Sequence, residues 1–313
     1  MTKILIIKPS SLGDILHGLQ VAQSLREQWE GPLHISWVVS EAFSSLVEAC
    51  ETVDQVFIFE RKGGIRGFKR LASQIRAQHF DWVLDFQGLA RSGLLTFLSH
   101  ADHKIGRSDA REFSGFAYSQ KAPLPKQASQ AHAIEILLEF LPLMGLKPEL
   151  RGPLCFEAPP MSCEFPQGLD DFVLLFPNSR RPEKEWPYFV ELTEALLKHF
   201  PDKAVVWSGQ EPLEPAAHWD RSRFIDLMGK TKLLDVLPLL QRARIVVTND
   251  SGPMHIAAAM GVEVLALFGP TPPECFGPYP LTCPRHHLLR APKGRLQDLA
   301  ASSVLETLDS ILS

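Results

Sequence analysis

The chain has 313 residues, 45% of them hydrophobic and 22% charged, and a formal net charge of −4. This is enough for one large or two medium domains of ordinary globular composition, and the acidic balance argues against nucleic acid as a partner. The five cysteines (Cys50, Cys155, Cys163, Cys275, Cys283) are dispersed with no C-x-x-C pair. They read as reduced thiols of a cytoplasmic protein, not as a disulfide frame or zinc site. Lys8 closes the first apolar run too early for a signal peptide, and no stretch has transmembrane length.

Strand-like and helix-like runs alternate along the chain. In the first half, strands are predicted at 4–7, 34–39, 55–59 and 82–85, with helices at 15–28, 41–49 and 67–78. This βαβ rhythm predicts a parallel sheet covered on both faces. It breaks between about 145 and 168, where Pro148, Pro153, Pro159, Pro160 and Pro166 fall close together. That stretch predicts a linker at 151–167 between domains at 1–150 and 168–313. The pattern restarts with strands at 172–176, 204–207, 245–247 and 264–268, and helices at 186–199, 233–240 and 255–260. A tail at 296–312 reads as one amphipathic helix, free to pack back on the first domain. The expected fold class is α/β, two Rossmann-like doubly wound domains facing a central cleft.

Several strand-to-helix turns are suited to chemistry. In Thr248-Asn249-Asp250-Ser251-Gly252-Pro253-Met254-His255, a β-branched run stops at a turn and a small-residue helix begins. Free backbone N–H groups and the helix dipole there favour an anion such as pyrophosphate. The first turn, Lys8-Pro9-Ser10-Ser11-Leu12-Gly13-Asp14, is neither a dinucleotide fingerprint nor a P-loop. Gly13 allows close backbone approach to a ligand. Asp14 has two readings, a first-turn carboxylate worth about 1 kcal/mol or a general base for an acceptor hydroxyl. His17 lies one turn on. The loop from Asn178 to Pro187 offers Lys184 and the Ser179 hydroxyl to phosphate oxygens. Glu211 and Glu214 are placed for ribose hydroxyls, and the Gly229-Lys230-Thr231 turn for an adenine edge. From Arg61 to Arg76 there are six Lys/Arg and no acid. Arg66, Lys69 and Arg70 share one helical face, which Arg107 and Arg111 extend. This is either a solvated face or a site for an anionic acceptor or membrane surface. The histidines have no zinc spacing, and no G-x-S-x-G elbow occurs.

In order along the chain, these segments resemble glycosyltransferase family 9, the lipopolysaccharide heptosyltransferases. Ser10-Ser11-Leu12-Gly13-Asp14-Ile15-Leu16-His17 is similar to the first loop of the heptosyltransferase I branch, and Asp85-Phe86-Gln87-Gly88-Leu89 to its D-x-Q-G-L segment. Lys184-Glu185-Trp186-Pro187 resembles K-x-W-P, residues 250–259 resemble D-[ST]-G-x-x-H-x-x-A-A, and Phe268-Gly269-Pro270-Thr271 resembles F-G-P-T. The resemblance implies a GT-B fold, with an acceptor-binding domain at 1–150 and a nucleotide-sugar domain at 168–313. It implies inverting transfer from ADP-heptose to the Kdo region of the inner core, with Asp14 as base and Lys184 at the donor phosphates. Asp250, Ser251, Gly252, Pro253 and His255 would hold the donor with Ser179, Glu211, Glu214, Lys230 and Thr231. Ser10, Ser11, Gly13, His17 and Gln87 would meet the acceptor. Arg66, Lys69, Arg70, Arg107 and Arg111 would meet the carboxylates and phosphates of a Kdo-lipid A type glycolipid. The departures are Pro9, where Thr is commoner, and Asn178-Ser179-Arg180-Arg181, where Gly-Ala-Ser/Thr is usual.

The expected chemistry is one displacement without a covalent intermediate. No D-x-D pair suggests a metal, and no cofactor is expected. The expected setting is a cytoplasmic monomer at the inner face of the inner membrane. The competing readings are a family 9 transferase with another nucleotide sugar or a later heptose acceptor, and a catalytically inactive nucleotide- or sugar-binding protein. An NAD-linked oxidoreductase is disfavoured by the missing glycine fingerprint.

Overall fold

The computed structural model describes residues 1–127 and 130–313. The chain divides into two compact units, Met1–Glu157 and Ala158–Ser313, a division that falls inside the stretch read as linker.

The first unit runs β1 (Thr2–Ile7), α1 (Leu12–Gln28), β2 (Leu33–Ser40), α2 (Ser44–Glu48), β3 (Gln55–Phe59), α3 (Gly64–Arg76), β4 (His79–Asp85), α4 (Ala90–Leu98), β5 (His100–Arg107), β6 (Gln120–Ala122) and α5 (Ala133–Leu138). Its sheet has the order β3-β2-β1-β4-β5-β6, and each adjacent pair is parallel. Ile4 to Ile7 are fully buried, as a central strand covered on both faces requires. α3 turns Gly67, Leu71 and Ile75 inward, which leaves its basic residues outside.

The second unit repeats the plan: β7 (Phe172–Phe176), α6 (Phe189–His199), β8 (Val205–Gly209), β9 (Phe224–Met228), α7 (Val236–Arg242), β10 (Ala243–Asn249), α8 (Gly252–Ala259), β11 (Val264–Phe268), α9 (Pro273–Phe276), β12 (His286–Arg290) and α10 (Ala301–Leu312). Its order is β12-β11-β10-β7-β8-β9, again all parallel. The strand order reverses between β1 and β4 in one sheet and between β7 and β10 in the other. Loops at the carboxyl ends of those strands are where open α/β sheets bind ligands.

Two expectations about helices are corrected. Helix α6 starts at Phe189 rather than 186, because Trp186 is anchored ahead of it. The Trp186 N–H donates to Asn249 Oδ1 (3.0 Å) and its indole Nε1 to the Leu299 carbonyl (2.8 Å). The tail is not one helix. A 3-10 turn at Leu296–Asp298 precedes α10, and carbonyls that would continue a helix are diverted to Trp186 and Tyr188. Val304 and Leu308 of α10 are buried in the second unit's core, where the helix packs beside α6. Among the described residues no helix is long and apolar enough to cross a membrane.

Candidate active site

In the first unit, the chain leaves β1 at Lys8 and enters α1 through Ser10 and Ser11. The Lys8 ammonium is buried, 3.8 Å from Asp14 Oδ1, and burial holds it below the ordinary lysine value. Asp14 is the third residue of α1. Its Oδ2 accepts from the Ser11 N–H (3.1 Å) and the Ser11 hydroxyl (2.7 Å). The geometry of Asp14 fits the first-turn reading and leaves the carboxylate open to solvent. Asp14 closes the helix N-terminus as a first-turn carboxylate, and it remains a reachable, oriented oxygen pair with a fixed cation behind it. Ser11 is committed to holding Asp14, and the Ser10 hydroxyl accepts from Arg61 Nη2 (3.1 Å). Gly13 lies between them in the first turn of α1. His17 is buried with its ring 5.1 Å from that of His132, so it packs inward instead of facing the loop.

Beside this turn, β4 ends at Asp85, a fully buried carboxylate. Its Oδ1 accepts from the Gln87 and Gly88 N–H groups (3.0 and 2.9 Å) and its Oδ2 from the Tyr118 hydroxyl (2.8 Å). Burial pushes the Asp85 carboxyl up, against the pull of the Gly88, Tyr118, Ser92 and Gln87 bonds. Gly88 has φ +68°, a conformation that disfavours any side chain. Asp85 therefore shapes the turn that presents Gln87, whose Oε1 is shielded and has no partner among the described residues.

The basic face is smaller and more divided than expected. Arg70 is paired with Glu60 at 2.6 Å, just outside the acid-free run, so Arg66 and Lys69, with Arg76 at the far end, carry the unpaired exposed charge of α3 among the described residues. Arg107 does not extend that face. It ends β5 beside Gly88 and forks onto Asp109 (2.8 and 2.7 Å), which holds the guanidinium above its usual value. The Arg111 N–H bonds to the Gly88 carbonyl (2.9 Å), which places Arg111 with the Gln87 turn too.

In the second unit the loops after β7 and β10 are stitched together. Asn249 donates through Nδ2 to the Pro177 carbonyl (2.7 Å) and accepts from the Trp186 N–H. Lys184 is thereby brought to Asp250, Nζ to Oδ2 2.5 Å, and the Thr271 hydroxyl donates to the same oxygen at 2.6 Å. Ser251 is the N-cap of α8, Gly252 and Pro253 form its first turn, and His255 follows, half-buried. The Ser251 and Thr248 hydroxyls are 3.2 Å apart. A lysine ammonium and the free amides of a helix N-terminus thus converge on one strand end, as an anion site requires.

The remaining residues expected to meet the donor lie in the loops after β7, β8 and β9. Asn178 Oδ1 accepts from the Glu211 N–H (3.0 Å), and the Gly229 N–H bonds to the Gly209 carbonyl (2.8 Å). Glu214 is exposed. Thr231 shares a hydroxyl contact with Ser208 (3.0 Å). The Ser179 N–H is taken by Glu185 (2.7 Å), and Lys230 Nζ donates to the Asp226 carbonyl (2.7 Å), so neither loop is a loose polar segment. The sequence reading assigned no role to Lys8, Asp85, Tyr118, Asn249 or Thr271. Asp85, Asn249 and Thr271 stood within or beside its motifs; Lys8 carried a signal as the charge that ends a buried strand, and Tyr118 carried none. Among the described residues no group of three or more His, Cys, Asp or Glu could hold a metal ion.

The sequence profile of glycosyltransferase family 9 (heptosyltransferase) matches residues 68–300. The lipopolysaccharide heptosyltransferase 1 of Escherichia coli K12 is 28% identical over 329 aligned positions, covering 99% of this chain and all of the relative. E. coli heptosyltransferase WaaC, solved with ADP, superposes with a TM-score of 0.81 at 24% identity, covering 99% of this chain and 100% of WaaC. The same enzyme solved with ADP-2-deoxy-2-fluoro heptose gives 0.77 at 24% identity, with 99% of each chain covered. The fold is of GT-B type, and the chain belongs to glycosyltransferase family 9.

Proposed function

We propose that this glycosyltransferase moves a heptose from ADP-heptose to the Kdo region of a lipopolysaccharide inner core, as a heptosyltransferase I. The observation that carries the reading is Lys184, held 2.5 Å from Asp250 at the N-terminus of α8, in a chain that matches along its length an enzyme solved with ADP and with a fluorinated ADP-heptose.

Asp14 takes the proton of the acceptor hydroxyl as that oxygen attacks the anomeric carbon, on the face opposite the nucleotide. The glycosidic bond to ADP breaks in the same step. The charge that grows on the leaving phosphate is met by Lys184 and the amides that follow Ser251. The sugar inverts, no covalent enzyme intermediate forms, and no metal is needed, since cation and helix dipole already face the phosphates. Glu211, Lys230 and Thr231 bind the ribose and adenine edges, and Ser179 assists at the phosphates. Gln87, Arg107 and Arg111 meet the Kdo carboxylates, and Arg66 and Lys69 the phosphates of the lipid anchor. We infer a cytoplasmic monomer without a cofactor, peripheral to the membrane that carries its acceptor.

The test supplies purified chain with a panel of nucleotide sugars and with Kdo-lipid A, bare or already carrying one heptose, and reads the product by mass spectrometry and its anomer by NMR. Transfer from ADP-heptose to the bare acceptor, with inverted configuration, is expected. Preference for the heptosylated acceptor would assign a later step, and calorimetric ADP binding with no transfer to any acceptor would reduce the chain to a binding protein.

A further inference from the structure

On the first unit, large exposed apolar side chains gather between Leu94 and Phe116. Helix α4 turns Ser92, Gly93, Leu95 and Thr96 inward and exposes Arg91, Leu94 and Phe97 at three-residue spacing. It is seated on the 3-10 turn Ser114–Ala117 by a close approach at Gly93, where an added Cβ would lie 2.6 Å from Ser114 Cβ. That seating sets Phe97 beside Phe116, ring centroids 5.5 Å apart, with both rings more than half exposed. Phe113, just before the turn, is 94% exposed and has φ +60°, next to Glu112 at +55°. Such backbone is uncommon for non-glycine residues, and the fold gains no burial by projecting Phe113 outward.

The charge around these rings runs against the net −4 of the chain. Arg91 and Lys121 flank them, with the Lys121 ammonium over Gly115, and neither has an acidic partner among the described residues. The carboxylate of Glu112 is engaged by the Ala90 N–H at 3.0 Å. An apolar face rimmed by unpaired cations is the composition that binds an anionic interface, and a contiguous exposed apolar patch marks a contact surface. Helix α3 offers cations without an exposed aromatic ring. The patch also adjoins the acceptor side of the unit, because Arg111 bonds to Gly88 in the Gln87 turn.

We propose that the Phe97–Phe113–Phe116 face docks the first unit on an anionic bilayer, its rings entering the acyl boundary and Arg91 and Lys121 meeting headgroup phosphates. This rests on the reading that the acceptor is lipid-anchored: docking here delivers the acceptor sugar to the Gln87 turn without extracting the lipid.

The test is sedimentation of the full chain with vesicles of phosphatidylcholine, with or without phosphatidylglycerol, in the absence of acceptor. Phe113→Ser/Phe116→Ser should lower the partition coefficient at least about tenfold. Arg91→Glu/Lys121→Glu should remove the preference for phosphatidylglycerol, and Arg66→Glu/Lys69→Glu should weaken vesicle binding less than either patch variant. The phenylalanine variant should keep wild-type turnover on detergent-dispersed acceptor and lose it on acceptor embedded in vesicles. The proposal is overturned if wild type does not bind vesicles, if only the α3 variant loses binding, or if light scattering shows that the patch holds a second copy of the chain. Vesicle binding through the patch by a chain that transfers nothing in detergent would uphold docking and refute the transfer reading.

Discussion

Both units carry a lysine and an aspartate at the switch point of a six-stranded sheet, and they dispose the pair in opposite ways. In the first unit Lys8 and Asp14 belong to one strand-to-helix turn; the lysine side chain is 5% exposed and the aspartate 43%. In the second, Lys184 and Asp250 come from loops 66 residues apart and are both enclosed, at 14% and 6%. The difference suits the two roles proposed above, that of base for Asp14 and that of phosphate contact for Lys184. A carboxylate that must take a proton from a substrate has to be reachable, so the fold buries its cation and leaves the acid open. A cation that must face a departing phosphate has to be aimed, so the fold encloses the acid that aims it, with Thr271 as a second tether.

The sharpest way to break this contrast is at the two acids. Asp14→Asn should lower kcat by about 10²–10⁴ and leave ADP affinity, measured by calorimetry, unchanged; near-normal turnover would place the base elsewhere. Asp250→Asn should act on stability and donor together. Stranding the enclosed Lys184 ammonium costs about 3 kcal/mol, read as a lower denaturant midpoint, and ADP binding weakens in parallel. Double-mutant cycles sharpen the same point. The coupling should be about 2 kcal/mol for Lys184 with Asp250 and under about 1 kcal/mol for Lys8 with the open Asp14. Equal couplings would erase the distinction.

Lys8→Met should lower turnover and yet raise stability by about 1 kcal/mol near neutral pH, because it removes a buried charge at similar volume. Burial holds the folded-state value of Lys8 below that of the unfolded chain. Between the two values the unfolded chain keeps the proton and the folded chain does not, so wild-type stability rises with pH across that window. The advantage of Lys8→Met is therefore fullest below the window and shrinks through it, which melts at a series of pH values will follow. The smallest effect is expected at the ribose. Glu211→Gln should weaken ADP by about 1 kcal/mol and Glu214→Gln should not, because Asn178 fixes the Glu211 backbone and no comparable bond holds Glu214 among the described residues.

The parallel α/β plan of both units was legible because central strands such as 4–7 and 172–176 are continuous apolar runs, which few alternatives accommodate. Strand β5 was not. Its residues, His100 to Arg107, are polar at most positions and bury fully only near Ile105, so no apolar run announces it and pairing with β4 decides its conformation. The site divides similarly. Asp14, Lys184 and the Asp250-Ser251-Gly252 turn stood out because turn chemistry is local. The pairing of Arg70 was not legible because its partner Glu60 lies just outside the acid-free window, nor was the place of Arg107, because the end of β5 comes beside Gly88 only in the folded sheet.

The order of residues by itself determined where strands end, which turns can cap a helix or receive an anion, and the family to which those turns belong. These follow from spacing and side-chain chemistry within a dozen residues. Only the tertiary structure decided that Lys8 is buried behind Asp14, that Asp250 and Thr271 hold Lys184, that Asp85 and Tyr118 shape the Gln87 turn, and that Phe97 and Phe116 meet at the surface. Each of these depends on how deeply a group is taken out of water and on which distant segment supplies its partner, and neither quantity is written in local sequence.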